Sequence, residues 1–181
     1  MAATVRVKAG EFFATDRDVS LVTVLGSCVA ACLRDRVSGI GGMNHFMLPR
    51  SHEGDGPASV SARYGVNAME LLINELIRLG ARRGNLEAKV FGGGSVVREI
   101  QSLDVGAMNA RFVCTFLREE SIPLVASDLQ GPVGRRVRFL PASGRAFVSR
   151  LGRRDPAVID DETLCLARLD VPPGAGSVEL F

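Results

Sequence analysis

The sequence predicts one mixed α/β domain, with two main helices packed against a sheet. Three observations carry this. The 181 residues are enough for one domain with a real core. The β-branched, apolar run "VSLVTVL" (19–25) reads as a buried strand, and "LEAKVF" (86–91) as another strand. Two stretches, "GVNAMELLINELIRLGARRG" and "VGAMNARFVCTFLREES", carry apolar residues at helical spacing.

In chain order, residues 19–25 form the first strand expected, and "GSC" turns the chain. "VAACLRD" and "GIGGMNHFML" read as partner strands joined through Asp35 to Gly39, where turn residues gather. Residues 50–62 are polar and rich in Gly and Ser, which predicts a mobile surface loop. In the first helix Ala68, Leu71, Leu72, Glu75, Leu76 and Leu79 mark a mostly apolar face, with Asn67 as cap and Gly80 as stop. The strand at 86–91 opens into Gly92, Gly93 and Gly94. The second helix places Phe112, Val113, Phe116 and Leu117 on one face, "IPLVASDL" follows as a strand, and "RRVRFLPASGRAFVSRL" forms a hairpin around Pro141 to Gly144. Beyond Arg150 the pattern weakens. "DDETLCLARL" suits a short helix and "DVPPGAGSVELF" a mobile tail.

Composition narrows the function. Hydrophobic residues make up 46% and charged residues 23%, with no apolar run long enough to cross a membrane as a helix. "MAATVRVKAGEFFATDRD" is charged throughout and lacks an apolar signal-peptide core, so a cytoplasmic location without membrane insertion is expected. A net charge of +2, no Trp and a single Tyr argue against nucleic acid as a partner. The basic clusters "GARRG" and "VGRRVR" suit solvated loops at least as well as a phosphate-binding patch. The triple glycine lacks the Lys-Ser/Thr of a P-loop and the spacing of a dinucleotide fingerprint, so no cofactor is expected there.

The cysteines, Cys28, Cys32, Cys114 and Cys165, are not expected to form a disulfide framework in a cytosolic chain. Cys28 and Cys32 stand four apart, which is neither a redox C-x-x-C nor a zinc half-site, and only His45 and His52 could complete a metal set. No metal site is expected. Cys28 follows the tight turn "LGSC", and His45 comes seventeen residues later. If the strands after Cys28 and before His45 pair, the histidine stands beside the cysteine at the sheet end. An ordinary thiol, with a pKa of about 8.5, needs such a base to become a thiolate. Core packing is the competing explanation for each cysteine, and a structural role the competing one for a histidine flanked by Met43, Phe46 and Met47.

The segments "TVLGSCVAACLRD", "GIGGMNHFMLP", "RYGVNAMELLINELIRLGA", "LEAKVFGGGSV", "VGAMN", "GRRVRF" and "SGRAFV" together resemble the chemoreceptor glutamine deamidases, the CheD family. The likeness runs collinearly over 19–151. It separates an N-terminal segment, 1–18, from a deamidase-like domain, 19–151, and a C-terminal extension, 152–181. It implies an α/β sandwich similar to the cytotoxic necrotizing factor catalytic domain, with Cys28 as nucleophile and His45 as base. Gly26, Ser27, Asn44, Gly93 and Ser95 become candidates for binding the substrate amide and oxyanion, with Asn109 a further candidate for positioning it. The implied activity is that of a protein-glutamine glutaminase. Its implied partners are the helical cytoplasmic domain of chemotaxis receptors and a CheC-like phosphatase. A non-catalytic module engaging such a phosphatase or receptor is the alternative.

One position departs from the family. Its third catalytic residue is a Thr six places before the cysteine, where this chain has Val22; Thr23 lies one place closer. Neighbours on a strand point to opposite faces. Thr23 is kept as the candidate third catalytic residue, able to reach His45 if a bulge shifts the register; on a regular strand, the expected case, it faces away and a backbone carbonyl or water orients His45. The site itself is expected near the surface, in an exposed groove that a receptor helix can lie across.

Overall fold

The computed structural model describes residues 3–49, 60–96, 105–152 and 154–169. It is a mixed α/β domain, with two sheets where the sequence suggested one. The first sheet has the order β1-β3-β8-β9, formed by Ala3–Arg6, Val19–Leu25, Gly134–Leu140 and Arg145–Leu151. The second has the order β2-β5-β4-β6-β7, formed by Phe12–Thr15, Gly41–Asn44, Val29–Asp35, Leu86–Gly92 and Leu124–Leu129. Both mix parallel and antiparallel pairs. The N-terminal segment thus supplies one strand to each sheet.

The residues of β4 explain the layering. Val29, Ala31 and Leu33 turn one way, into a core shared with helices α1 (Val60–Arg78) and α2 (Val105–Glu119). Ala30 and Cys32 turn the other way, with Cys28 just ahead of the strand, into a core filled from β3 and β8 by Leu21, Leu25, Val137 and Phe139. A strand buried on both faces reads as an unbroken apolar run, which is why "VAACL" shows no alternation. A third helix, α3 (Pro156–Leu169), packs against β3.

The first helix begins earlier than its sequence suggested. Residues 60–62 open α1, while 50–59 of the expected loop lie outside the described residues. Asn67 stands inside the helix instead of capping it. Gly65 is a close-packing position within the helix, since a Cβ there would run into Phe112 and Leu48. The buried face is Met69, Leu72, Ile73 and Leu76, and Leu71 is exposed. Burying each large aliphatic side chain in that row is worth roughly 1.5–3 kcal/mol. Gly80 ends the helix as expected: its φ of +109° lets Ala81 donate back to the Leu76 carbonyl. On α2, Val113, Phe116 and Leu117 are buried, while half-buried Phe112 meets Phe46 edge to face at 6.0 Å. The hairpin of β8 and β9 turns at 141–144 as expected. The expected tail from 170 onward lies outside the described residues.

Candidate functional site

Cys28 sits where the chain crosses from one sheet to the other. The segment Gly26–Cys28 leaves β3 and enters β4, and the triple glycine holds it: Gly93 N–H donates to the Cys28 carbonyl (2.7 Å) and Gly94 N–H to the Gly26 carbonyl (2.8 Å). Gly92 and Gly93 have φ of +107° and +64°, a region that favours glycine, and a Cβ on either would meet backbone of this turn or of α2. Asn109 completes the brace. Its amide donates to the Ser27 carbonyl (2.8 Å) and its oxygen accepts from Leu48 N–H (2.9 Å).

His45 arrives by strand pairing. Cys32 pairs with Met43 and Val29 with Phe46, a register that places His45 across from Ala30, on the face that Cys28 also uses. Its backbone is tied to the N-terminal segment through Gly10 N–H (2.7 Å) and the Glu11 carbonyl (3.0 Å). The Thr23 hydroxyl lies 2.9 Å from His45 Nδ1 and 2.7 Å from the Val7 carbonyl. A carbonyl only accepts, so the single hydroxyl proton goes to Val7 and Thr23 Oγ1 accepts from Nδ1–H. That fixes the neutral ring with its basic nitrogen at Nε2.

This overturns the expectation that Thr23 faces away. The strand is regular: β3 pairs with β8 without a break from Leu21 to Leu25. Thr23 is simply the inward residue, between Leu21 and Leu25, and Val22 is half-buried. Counting positions back from the cysteine failed because Gly26–Cys28 belongs to no strand, so the alternation does not carry across it.

The other candidates separate. Asn44 is committed elsewhere, its oxygen accepting from Ala31 N–H (2.9 Å) and its amide donating to the Ala68 carbonyl (3.1 Å). It braces β4 against α1. Ser95 is exposed, with its N–H on the Gly131 carbonyl. Gly93 serves as part of the brace. Gly26 and Ser27 stay at the centre, in contact with the C-terminal helix, for which the sequence suggested no part in the site.

That helix is α3. Glu162 accepts from Ser27 N–H and lies 2.8 and 2.9 Å from the Ser27 hydroxyl. A Cβ at Gly26 would strike the Glu162 carboxylate. Asp161 places an oxygen 3.5 Å from His45 Nε2. Cys165 reaches Cys28, and the structure pairs them as a disulfide across Cα atoms 7.4 Å apart. Burial lifts the Asp161 carboxyl to about 7, helped by neighbouring Glu162 and opposed by Gly26 N–H and by Arg6. Burial also raises Glu162, against its bonds to Ser27.

Two expectations change here. Cys28 and His45 are 0% and 1% exposed, so the site is roofed by α3 and not open at the surface. Cys28 and Cys165 meet, although no disulfide was expected. A cleft of about 140 Å³ between β2, β5 and α1 is lined by residues including Phe12, His45, Tyr64 and Leu71, while the His45 side chain is itself fully buried. One donor atom each from Cys28, His45, Asp161 and Cys165 lies within 4.8 Å of the others. By contrast, Cys32 is buried in the sheet and its thiol is pushed far up by desolvation, with Lys89 pulling weakly against it. Among the described residues, no helix is long and apolar enough to cross a membrane.

Known proteins resemble this chain strongly. Residues 47–150 match the family model "CheD chemotactic sensory transduction", a stretch beginning just after His45. A probable chemoreceptor glutamine deamidase CheD of Thiobacillus denitrificans is 51% identical over 180 residues, covering 98% of this chain and 89% of that one. Proteins of the same description from Cupriavidus metallidurans and Methylobacillus flagellatus are 50% and 49% identical, covering 98% and 97% of this chain and 84% and 88% of theirs. These likenesses run through the cysteine turn, the histidine strand and most of α3, and on them the chain belongs to the CheD family.

Proposed function

We propose that this protein is a cytoplasmic enzyme that deamidates glutamine side chains on chemotaxis receptors, with Cys28 as nucleophile, His45 as base and Thr23 as the residue orienting the ring. The relatives' descriptions support the substrate class. The observation that carries the residue roles is the chain from the Val7 carbonyl through Thr23 to His45 Nδ1, which leaves Nε2 basic with the Cys28 sulfur close by.

The chemistry follows from those positions. His45 Nε2 takes the thiol proton, and the Cys28 thiolate adds to the glutamine side-chain carbonyl carbon. The oxyanion is met by backbone N–H groups of the Gly26–Cys28 turn. Support for Ser27 N–H as a donor is the Glu162 carboxylate that it already holds. Imidazolium then protonates the departing ammonia, leaving a thioester. Water deprotonated by His45 hydrolyses the thioester, giving glutamate and the free thiol. A substrate side chain reaching this position takes the place of Asp161, Glu162 and Cys165, so α3 has to leave the cleft during turnover.

Intact-mass measurement of a receptor cytoplasmic fragment tests the reading, since each conversion of amide to acid adds about one mass unit. A gain that depends on Cys28 and maps to glutamine supports it. An unchanged fragment after incubation with reduced enzyme overturns it. A CheC-like phosphatase is proposed as a second partner on the family resemblance alone, and co-purification of the two proteins tests that.

A further inference from the structure

The roof over the nucleophile brings together a donor set that deamidation does not need. Cys28 supplies a sulfur, His45 an imidazole nitrogen, Asp161 a carboxylate oxygen and Cys165 a second sulfur, all within 4.8 Å of one another. We infer that Cys28, His45, Asp161 and Cys165 form a zinc-binding site that assembles when α3 docks on the cysteine turn. Two sulfurs, one nitrogen and one carboxylate oxygen are a tetrahedral zinc set, in which neighbouring donors stand about 3.3–3.8 Å apart.

Three further features fit. A histidine that ligates a metal usually donates its other ring N–H, which fixes the tautomer. Here Nδ1–H goes to Thr23, itself anchored on the Val7 carbonyl. The Cα atoms of Cys28 and Cys165 are 7.4 Å apart. Cross-linked cysteines usually hold theirs at about 4.4–6.8 Å, so a relaxed disulfide would need the backbone to close in, whereas two thiolates flanking an ion would not. Asp161 and Cys165 come from one helix face and Cys28 and His45 from neighbouring strand ends, so the set exists only while α3 is docked.

In the structure the two sulfurs are bonded to each other, so a thiol or phosphine reductant must first supply two electrons and leave two free thiols; binding then displaces one proton from each. Charge balance is close: two thiolates and one carboxylate against the dication leave one net negative charge, with Arg6 near enough to attract Asp161. The consequence for activity rests on the deamidase reading, because the ion would hold both the nucleophile and its base. The site would then be a latch, keeping the enzyme silent until the ion leaves and α3 swings away.

The test uses the full chain, stripped of metal and kept reduced with a phosphine, titrated with zinc against a chromophoric chelator and separately with cobalt. One ion per chain is expected, with a tetrahedral cobalt spectrum and a thiolate-to-cobalt charge-transfer band that drops by about half in Cys165→Ser. Asp161→Asn should weaken zinc at least about tenfold. In the unaltered protein, zinc should shield Cys28 and Cys165 from alkylation, a readout that needs no variant to fold. Zinc should slow deamidation, a chelator should restore it, and Cys165→Ser should need at least about ten times more zinc for the same inhibition. Absence of the charge-transfer band, equal zinc affinity in Cys165→Ser, no shielding from alkylation, or a Cys28–Cys165 disulfide that survives the reductant would each overturn the site. If zinc binds as stated but receptor fragments are never deamidated, the proposed function fails and the metal site stands.

Discussion

The two ends of β4 use similar parts to opposite effect. At the far end Asp35 is buried, and its carboxylate accepts from Val37 N–H (2.8 Å), Ser38 N–H (3.0 Å) and Arg82 N–H (2.8 Å). Burial works against its charge, but those donors and the Asn85 side chain outweigh it and bring the carboxyl down to about 2. At the near end, buried Asp161 and Glu162 also meet backbone N–H groups, at Gly26 and Ser27, yet both carboxyls are raised, because fewer donors face a larger loss of solvent. The Asp35 end is saturated: its acid is ionised and used up in tying the β4–β5 turn to the segment after α1. The Cys28 end is undersupplied, and its groups keep the capacity to move protons and bind a partner. A buried polar cluster becomes structural or chemical according to how completely the backbone satisfies it.

The sharpest way to break this comparison is to remove the sulfur. Cys28→Ala should lower the deamidation rate at least about 10³-fold, since the covalent route disappears. Compared with the reduced unaltered protein, in which Cys28 and Cys165 are not cross-linked, it should cost little stability, roughly 1 kcal/mol, because the loss is one sulfur atom from the core. Rates on a receptor fragment with parallel melts check both. Wild-type turnover in Cys28→Ala would place the nucleophile elsewhere. The mirror change is Asp35→Ala, which should leave kcat untouched and destabilise by about 2 kcal/mol, the scale of hydrogen bonds to a charged acceptor. Urea midpoints at neutral pH measure it. A fall in kcat with unchanged stability would show that the two ends are not separable.

How far the sequence disclosed these ends follows from distance along the chain. The Asp35 turn was legible because most of its donors are local: an Asp two and three residues before the N–H groups it accepts from, closed by Gly39, is a turn with a mechanism. Cys28 and His45 were legible as a pair because one hairpin register joins them. The facing of Thr23 was misread, since strand alternation was carried across a turn that does not preserve it. The roof was not legible at all. Glu162 meets Ser27 from 135 residues away, on a helix whose apolar pattern is weak. No local rule pairs such segments, and only the packing of α3 against β3 does. The second sheet was missed for the same reason, as β1 and β2 are short strands that exist by pairing with β3 and β5.

Thr23 gives a smaller and more discriminating test. Thr23→Val should reduce kcat roughly tenfold, less than loss of the nucleophile, because the base keeps its chemistry and loses its orientation. Two readouts separate positioning from mere damage. Thr23→Ser, which keeps the hydroxyl, should recover most of the rate. The rate profile against pH should also shift in Thr23→Val, because the acceptor that fixes Nδ1–H is gone. Val22→Thr should add nothing, since that residue lies on the other face of β3. A gain there, with Thr23→Val silent, would restore the family register that the structure contradicts.

The smallest effect expected is in the acid limb of stability, and it separates the two ends by sign. Asp35 has a folded-state pKa lowered from 3.8 to about 2. Between those values the unfolded chain binds the proton and the folded protein does not. The contribution of Asp35 is therefore complete above about pH 4 and is lost as pH falls towards 2. Asp161 and Glu162 have raised carboxyls, so their effect runs the other way and weakens the fold as pH rises. The two slopes overlap in the whole protein, and a single pH curve cannot assign either. Asp35→Asn resolves them, because subtracting its curve from that of the unaltered protein cancels every group except Asp35. The difference in urea midpoint should be constant from neutral pH to about pH 4 and then shrink steadily. A constant difference down to about pH 3 would mean that Asp35 titrates as an ordinary carboxylate in the folded protein, and that its three backbone donors hold the neutral acid as well as the charged one.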